Sequence, residues 1–361
     1  MDRHVWWGLA LFGVTALLLT TGLSGQSPAV ERPPDPSGTY ELEDGNRLWP
    51  YTSTRLDVSG RTLPINVFVP TSPERTSAML AGGPGDWKTD EPAADAETYS
   101  VGRWGKAAGA DRFTARVPAA ADPVWMSETA QLADGHYLGE REHVRIYGPE
   151  NGEWSALQAH GEHWDWFRLR HSVDDLENAR DGVTAALAAR TDAPVEDREE
   201  PPRRVVLVAG VALLLAGRRR LGGSVTAAMW PGALYLGVRA TGIALESALP
   251  WAPPKAIVVV LYPFVVLGIP LAAYYAVTRR AGETGPRTAF VLTAGAFALA
   301  LFLDALAMGV TAPSVRLLVF RSVAVVAVGL LAAAGTSDGP SRGPGLLVWS
   351  FAVLLPLTGG V

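Results

Sequence analysis

The chain has 361 residues, 48% of them hydrophobic and 19% charged, with a formal net charge of −5. That balance leaves no broad basic face able to neutralise nucleic-acid phosphates, so nucleic acid is excluded as an expected partner. The absence of cysteine excludes disulfides, thiolate metal sites and cysteine nucleophiles.

The basic residues are almost all arginine, the only lysines being Lys88, Lys106 and Lys255. With the many Asp and Glu, this reads as the composition of a GC-rich, salt-adapted, halophile-like prokaryote. Charges are dense between Glu31 and Arg204 and sparse beyond Arg220, so the two halves face different solvents.

Residues 1–26 contain an apolar run at 5–23 preceded by Arg3 and His4. As a helix it would be about 28 Å long, close to the hydrocarbon thickness of a bilayer. It reads as an N-terminal transmembrane anchor or, given the small residues of Leu23-Ser24-Gly25, as a signal peptide. A linker at 27–37 with prolines at 28, 33, 34 and 36 follows.

Residues 38–191 form one α+β domain. Strands are expected at 54–58 and 63–69, then a helix opened by Thr71-Ser72-Pro73-Glu74 and stopped at Gly82-Gly83. Asp134-Gly135 marks a turn before a strand at 142–147. Strands at 154–160 and 163–170 are expected to be joined by a two-residue turn at Gly161-Glu162. The pattern Ser172-Val173-Asp174-Asp175 then opens a helix that runs to about Arg190. An acidic, proline-containing linker at 192–204 closes the domain.

Residues 205–361 read as an all-α membrane bundle of six transmembrane helices, at 205–217, 225–248, 256–277, 289–310, 315–335 and 345–360. The first is short and crosses only if its flanking arginines reach opposite interfaces, the other reading being an interfacial helix. Arg218–Arg220, the loop with Arg279, Arg280 and Arg287, and Arg342 all fall on one side, which the positive-inside rule assigns to the cytoplasm. The N-terminus is then cytoplasmic and residues 38–191 are an extracytoplasmic insertion in a multi-pass cell-membrane protein.

Arg239, Asp304 and Arg321 interrupt the apolar runs well inside their ends, and Glu246 lies two turns above Arg239 on one stripe. Such groups cost several kcal/mol in hydrocarbon unless paired, so they face the bundle interior. Asp304 and Arg321 would sit at equal depth, roughly 9 Å below the outer face, in an antiparallel hairpin that makes an ion pair between them easy. Two readings stand: a buried salt-bridge network that fixes helix register, or an anion or proton pathway opening outward. Pro231, Pro263, Pro270 and Pro356 mark kinks.

His136, His143, His160, His163 and His171 cluster in the domain, and histidine is both metal ligand and acid or base near neutral pH. Across the expected 161–162 turn, His160 and His163 would be neighbours with Asp165 one step down, a candidate metal set. Eight extended residues, about 26 Å, separate His163 from His171, which bars a shared ion unless the strand bends. Alternation places Trp154 on one face and Trp164 with Trp166 on the other, as packing or as a sugar or lipid platform.

The segments Glu142-His143-Val144-Arg145-Ile146-Tyr147 and His171-Ser172-Val173-Asp174-Asp175-Leu176-Glu177-Asn178-Ala179-Arg180-Asp181 resemble the LssY-like C-terminal domain of prokaryotic membrane-associated proteins. The likeness covers about 63–189. His143, Arg145, His171, Asp175 and Arg180 match its pattern, while Glu142 and Arg170 stand where the family has the first histidine of each pair. The resemblance implies no established activity, leaves the cofactor unknown, and suggests a site shared by His143 and His171 on neighbouring elements.

The leading expectation is a cell-envelope protein whose outer domain binds a ligand or protein partner while the helices hold it in the lipid bilayer. A membrane-bound, metal-dependent hydrolase and a small-solute transporter are the alternatives.

Overall fold

The computed structural model describes residues 40–41, 47–52, 63–83, 85, 87–89, 112–117, 123–149, 152–188, 190, 223–279, 284–310 and 315–357. The apolar segments at 5–23 and 205–217, the proline-rich linkers, the expected strand at 54–58 and the arginine cluster at 218–220 lie outside them.

Local signals set the first helix. In α1 (Pro73–Ala81) the Ser72 side chain accepts the Arg75 backbone N–H at 3.3 Å, Pro73 opens the first turn and Gly82 ends the helix, as the sequence predicts. Of the strand expected at 63–69, only β3 (Val67–Val69) forms.

Two antiparallel sheets organise the domain. The smaller runs in the order β1 (Tyr40–Glu41), β2 (Arg47–Leu48), β5 (Phe113–Val117), β6 (Val124–Ser127). The larger runs β10 (Arg170–Asp175), β9 (Ser155–Asp165), β8 (Glu140–Tyr147), β7 (Ala130–Gly135), β4 (Lys88–Thr89), with β3 added beside the start of β9.

Strand β9 corrects the predicted hairpin: Gly161 and Glu162 continue one strand instead of turning the chain. The glycine lies in the strand beside a bulge. The register of β10 on β9 shifts between Val173 and Asp175, and Gly161 sits opposite this bulge, with the Asp175 Cβ 3.4 Å from where a Gly161 Cβ would stand, an ordinary contact distance.

The helix expected from Ser172 is also corrected. Ser172 to Asp175 stay in β10 because β9 offers them a ladder, and α2 (Glu177–Ala188) starts later. Asp175 Oδ1 accepts the N–H groups of Glu177 at 2.9 Å and Asn178 at 3.1 Å, the work of an N-cap.

Alternation in β8 and β9 sorts the faces of the larger sheet. Val144, Ile146, Leu157 and Ala159 pack with Leu132 against Leu80 of α1 and Val183 and Leu187 of α2. The other face carries the polar residues, and at its Tyr147–Ala156 end Leu48 and Ile65 cover it.

Beyond residue 222 the chain is helical: α3 (Gly223–Ala248), α4 (Pro254–Thr278), α5 (Pro286–Ala307), α6 (Val315–Ala334) and α7 (Gly343–Leu357). Three of them, α4, α5 and α6 from Leu317, are long and apolar enough to cross a membrane, and α7 is a shorter apolar helix. Helix α5 packs between α3 and α6, and α7 against α6. Within α4, Pro263 and Pro270 bracket a π turn at Phe264–Gly268. The Val266 carbonyl, whose α-helical donor would be Pro270, accepts the Trp349 indole N–H at 2.8 Å instead.

Two loops of the sheet domain plug into one end of these helices. The β7–β8 turn at 136–139 brings Leu138, and the turn after β9 brings Trp166 and Phe167, into one buried cluster with Tyr235, Phe297 and Trp349. The tight β7–β8 turn needs Gly135, at φ +112°, where a Cβ would stand 2.6 Å from the Glu140 carbonyl oxygen. On the helix side, Gly242 lets Trp166 approach, an added Cβ there lying 3.1 Å from its ring.

Candidate functional site

The fold lays a polar ladder along one buried face of the larger sheet. Register pairs Arg145 with Gln158, His143 with His160 and Arg141 with Glu162 between β8 and β9, and Trp164 with His171 between β9 and β10. His143, His160, Glu162 and Gln158 are each below 9% exposed.

Each group is oriented by a neighbour. The His143 and His160 rings meet edge to face at 5.0 Å between centroids. The Gln158 side-chain nitrogen lies 2.7 Å from His160 Nδ1, and His160 Nε2 lies 3.2 Å from Glu162 Oε2. Arg141 donates from Nε and Nη2, each at 2.8 Å, to the other carboxylate oxygen, Glu162 Oε1. His171 donates from Nε2 to the Tyr137 carbonyl at 2.9 Å, which turns Nδ1 toward Glu162 Oε1, 3.8 Å away. The Arg141 guanidinium stacks over the Tyr137 ring at 5.1 Å.

The electrostatics set opposite charge states side by side. Burial holds the His143 imidazole well below its ordinary pKa, an effect that Glu162 opposes and that His160, Arg145 and Arg141 reinforce. Burial alone would raise the Glu162 carboxyl, but His171, the His160 hydrogen bond and His143 hold it well below the usual carboxylate range. A neutral imidazole and an anionic carboxylate are the forms that a metal ion requires. Among the described residues, His143, His160 and Glu162 are the set whose ligand atoms approach closely enough to hold an ion, all within 4.8 Å of one another.

The candidate metal set His160, His163 and Asp165 is therefore corrected. His163 and Asp165 point to the opposite face of β9 from His160, because the three belong to one strand and not to a hairpin. His163 Nδ1 bonds Asp174, whose carboxyl burial pushes up despite that contact.

The 26 Å separation of His163 from His171 is corrected too. The chain turns at 166–169, through Leu169 at φ +49°, and brings His171 back beside Trp164. The same turn sets the Trp166 ring edge to face with Trp164, 6.3 Å between centroids. Trp154 packs beside Tyr147 and Ala156.

Of the residues matching the LssY-like pattern, His143, Arg145 and His171 share this face, Arg145 bonding Glu128. Asp175 caps α2, and Arg180 lies exposed on that helix with Asp181. The sequence does not mark Glu162 and Gln158 as partners of His160, since Gly161-Glu162 reads as a turn and so hides the alternation His160, Glu162, Trp164 along β9.

The bundle charges are distributed differently from the expected Asp304–Arg321 pair. Asp304 pairs with Arg239 (Nε–Oδ1 2.8 Å, Nη2–Oδ2 3.1 Å) and accepts the Tyr235 hydroxyl at 2.7 Å. Arg239 also donates to the Leu138 carbonyl at 2.9 Å. Arg321 instead reaches Asp165 at 2.8 Å and lies 4.3 Å over the Phe167 ring. Glu246 accepts the Tyr137 and Leu138 N–H groups at 2.7 and 2.8 Å. The physical reason is that the sheet domain supplies an acid and a carbonyl to the helices, which a count of helix charges alone omits.

These ties connect helix and site. Tyr137 is held by Glu246 through its N–H and by His171 through its carbonyl, so α3 and the histidine face share one residue. Comparison of the chain with protein-family models, with curated proteins and with solved structures finds no match.

Proposed function

We propose that this chain is a multi-pass cell-envelope protein whose sheet domain faces outward, seated in the helices, and binds a ligand at its buried histidine and carboxylate face. The observation that carries the reading is the shared core: Leu138, Trp166 and Phe167 are buried with Tyr235, Phe297 and Trp349. A tethered domain would not bury aromatic turns among apolar helices, so the bundle serves as a fitted seat.

The charge pattern supports the orientation. Sheet-domain contacts gather near Glu246, Asp304 and Arg321, whereas Arg279, Arg287 and Arg342 lie toward the opposite helix ends, the side that the positive-inside rule assigns to the cytoplasm. Six C-terminal spans and an N-terminal anchor complete this topology. Kinship of the domain with the LssY-like family is part of the proposal, supported by His143 and His171 sharing one face. A transport reading draws less support, because Arg239, Asp304 and Tyr235 bond one another and the Leu138 carbonyl.

The cysteine-free sequence makes the test clean. Exposed Glu153 and Asp338 are each replaced by cysteine and treated with a membrane-impermeant maleimide. Labelling of E153C in intact cells, with D338C labelled only after permeabilisation, is expected; the reverse pattern overturns the reading.

A further inference from the structure

We propose that the buried face holds a divalent first-row transition-metal ion, ligated by His143, His160 and Glu162. This rests on the outward binding domain proposed above and names the class of ligand it takes.

Geometry is the first support. The three ligand atoms lie within 4.8 Å of one another on adjacent strands, fixed by the His143–His160 register pair. Tetrahedral coordination at metal–ligand distances near 2.1 Å needs ligand separations of about 3.4 Å; His160 Nε2 and Glu162 Oε2 already lie 3.2 Å apart, and the wider separations close by up to about 1.4 Å around the ion. Two imidazoles and one carboxylate form a borderline donor set that suits zinc, iron, cobalt or manganese in the divalent state. Three protein ligands leave coordination positions for water or a bound small molecule.

The neighbours are arranged as a metal site requires. Arg141 engages Glu162 Oε1 through Nε and Nη2, while Oε2 lies on the side of His160 Nε2. Gln158 sits at His160 Nδ1, where its amide, turned to present oxygen, accepts the Nδ1–H and leaves Nε2 as the ligand atom. A structural ion pair between Arg141 and Glu162 needs neither imidazole.

The test uses the full chain in detergent, stripped with a chelator and titrated with Co2+, then with Zn2+ as competitor. Uptake of about one Co2+ per chain is expected, with the visible absorption of a low-coordinate nitrogen and oxygen site that Zn2+ abolishes. His143→Gln and His160→Gln are each expected to weaken binding by more than about 100-fold, while His163→Gln, on the opposite face, leaves it unchanged.

Should the glutamine variants fail to fold, pulsed electron paramagnetic resonance on the unaltered chain with a paramagnetic ion is expected to detect two coordinated histidine nitrogens. Absence of stoichiometric uptake, an ion without histidine coordination, or undiminished binding in both folded variants overturns the metal site. Such a failure with E153C labelled from outside removes the ion and leaves the outward domain standing. Inward labelling with normal Co2+ uptake removes the orientation alone.

Discussion

Asp165 and Arg321 meet at 2.8 Å across the junction of sheet domain and helices, the aspartate wholly buried and the guanidinium stacked on Phe167. Burial alone would raise this carboxyl, but Arg321, with His163 and Arg168, holds it below the ordinary carboxylate range. Removing one partner strands the other. Asp165→Asn and Arg321→Met are each expected to cost about 3–5 kcal/mol, and the double variant clearly less than their sum. Denaturant unfolding of the detergent-solubilised chain measures all three, and additive losses would show that the two residues do not interact.

Deeper in the helices, Asp304 balances Arg239 and accepts from Tyr235. Tyr235→Phe is expected to cost about 1.5–3 kcal/mol, the value of a hydrogen bond to a charged acceptor. Asp304→Asn leaves the Arg239 charge buried and is expected to cost about 3–5 kcal/mol. Thermal unfolding ranks the two, and a larger loss for the tyrosine change would contradict the assignment.

Acid is expected to loosen the sheet domain before its carboxylates titrate. The folded pKa of His143 lies below its unfolded value of 6.5, so the unfolded chain takes up that proton first. Stability is therefore full above pH 6.5 and lost as the pH falls below it, by up to about 1.4 kcal/mol per pH unit. Glu162, also lowered, adds a loss of the same sign below 4.5, while Asp174, raised, works the other way above 3.8. Unfolding of the chelator-treated chain between pH 7 and 5 measures the slope, and His143→Gln is expected to flatten it. An unchanged slope would place the titrating group elsewhere.

The Trp349 indole serves a carbonyl that Pro270 leaves without its helical donor. Trp349→Phe is expected to destabilise the helices by at least about 1–3 kcal/mol, the cost of an unsatisfied buried acceptor with some packing loss. Adding Pro270→Ala, which restores an N–H, is expected to recover part of that loss. No recovery in the melting temperature would separate the two residues.

Features governed by neighbouring residues were legible in the sequence. Ser72, Pro73 and Gly82 bound α1 because capping is local chemistry, and the apolar runs coincide with α3 to α7 because their length and composition suit helices. Arg239, Asp304 and Arg321 are identifiable as costly groups in apolar segments, but their partners depend on which surfaces meet. Leu138 comes from a turn and Asp165 from the end of β9, both far away in the chain, and no periodicity announces them. The histidine face was hidden by Gly161, a strand glycine at a bulge that resembles a turn residue until the partner strand is known.

The fitted junction is tested most directly by amide hydrogen exchange in the 136–139 turn. Tyr137 and Leu138 donate their N–H groups to Glu246 of α3, so peptides covering them are expected to exchange about as slowly as β8, and rapidly once Glu246 is replaced by alanine. Fast exchange in the unaltered chain, as in an ordinary solvent-facing hairpin turn, would mean that the sheet domain is not seated in the helices.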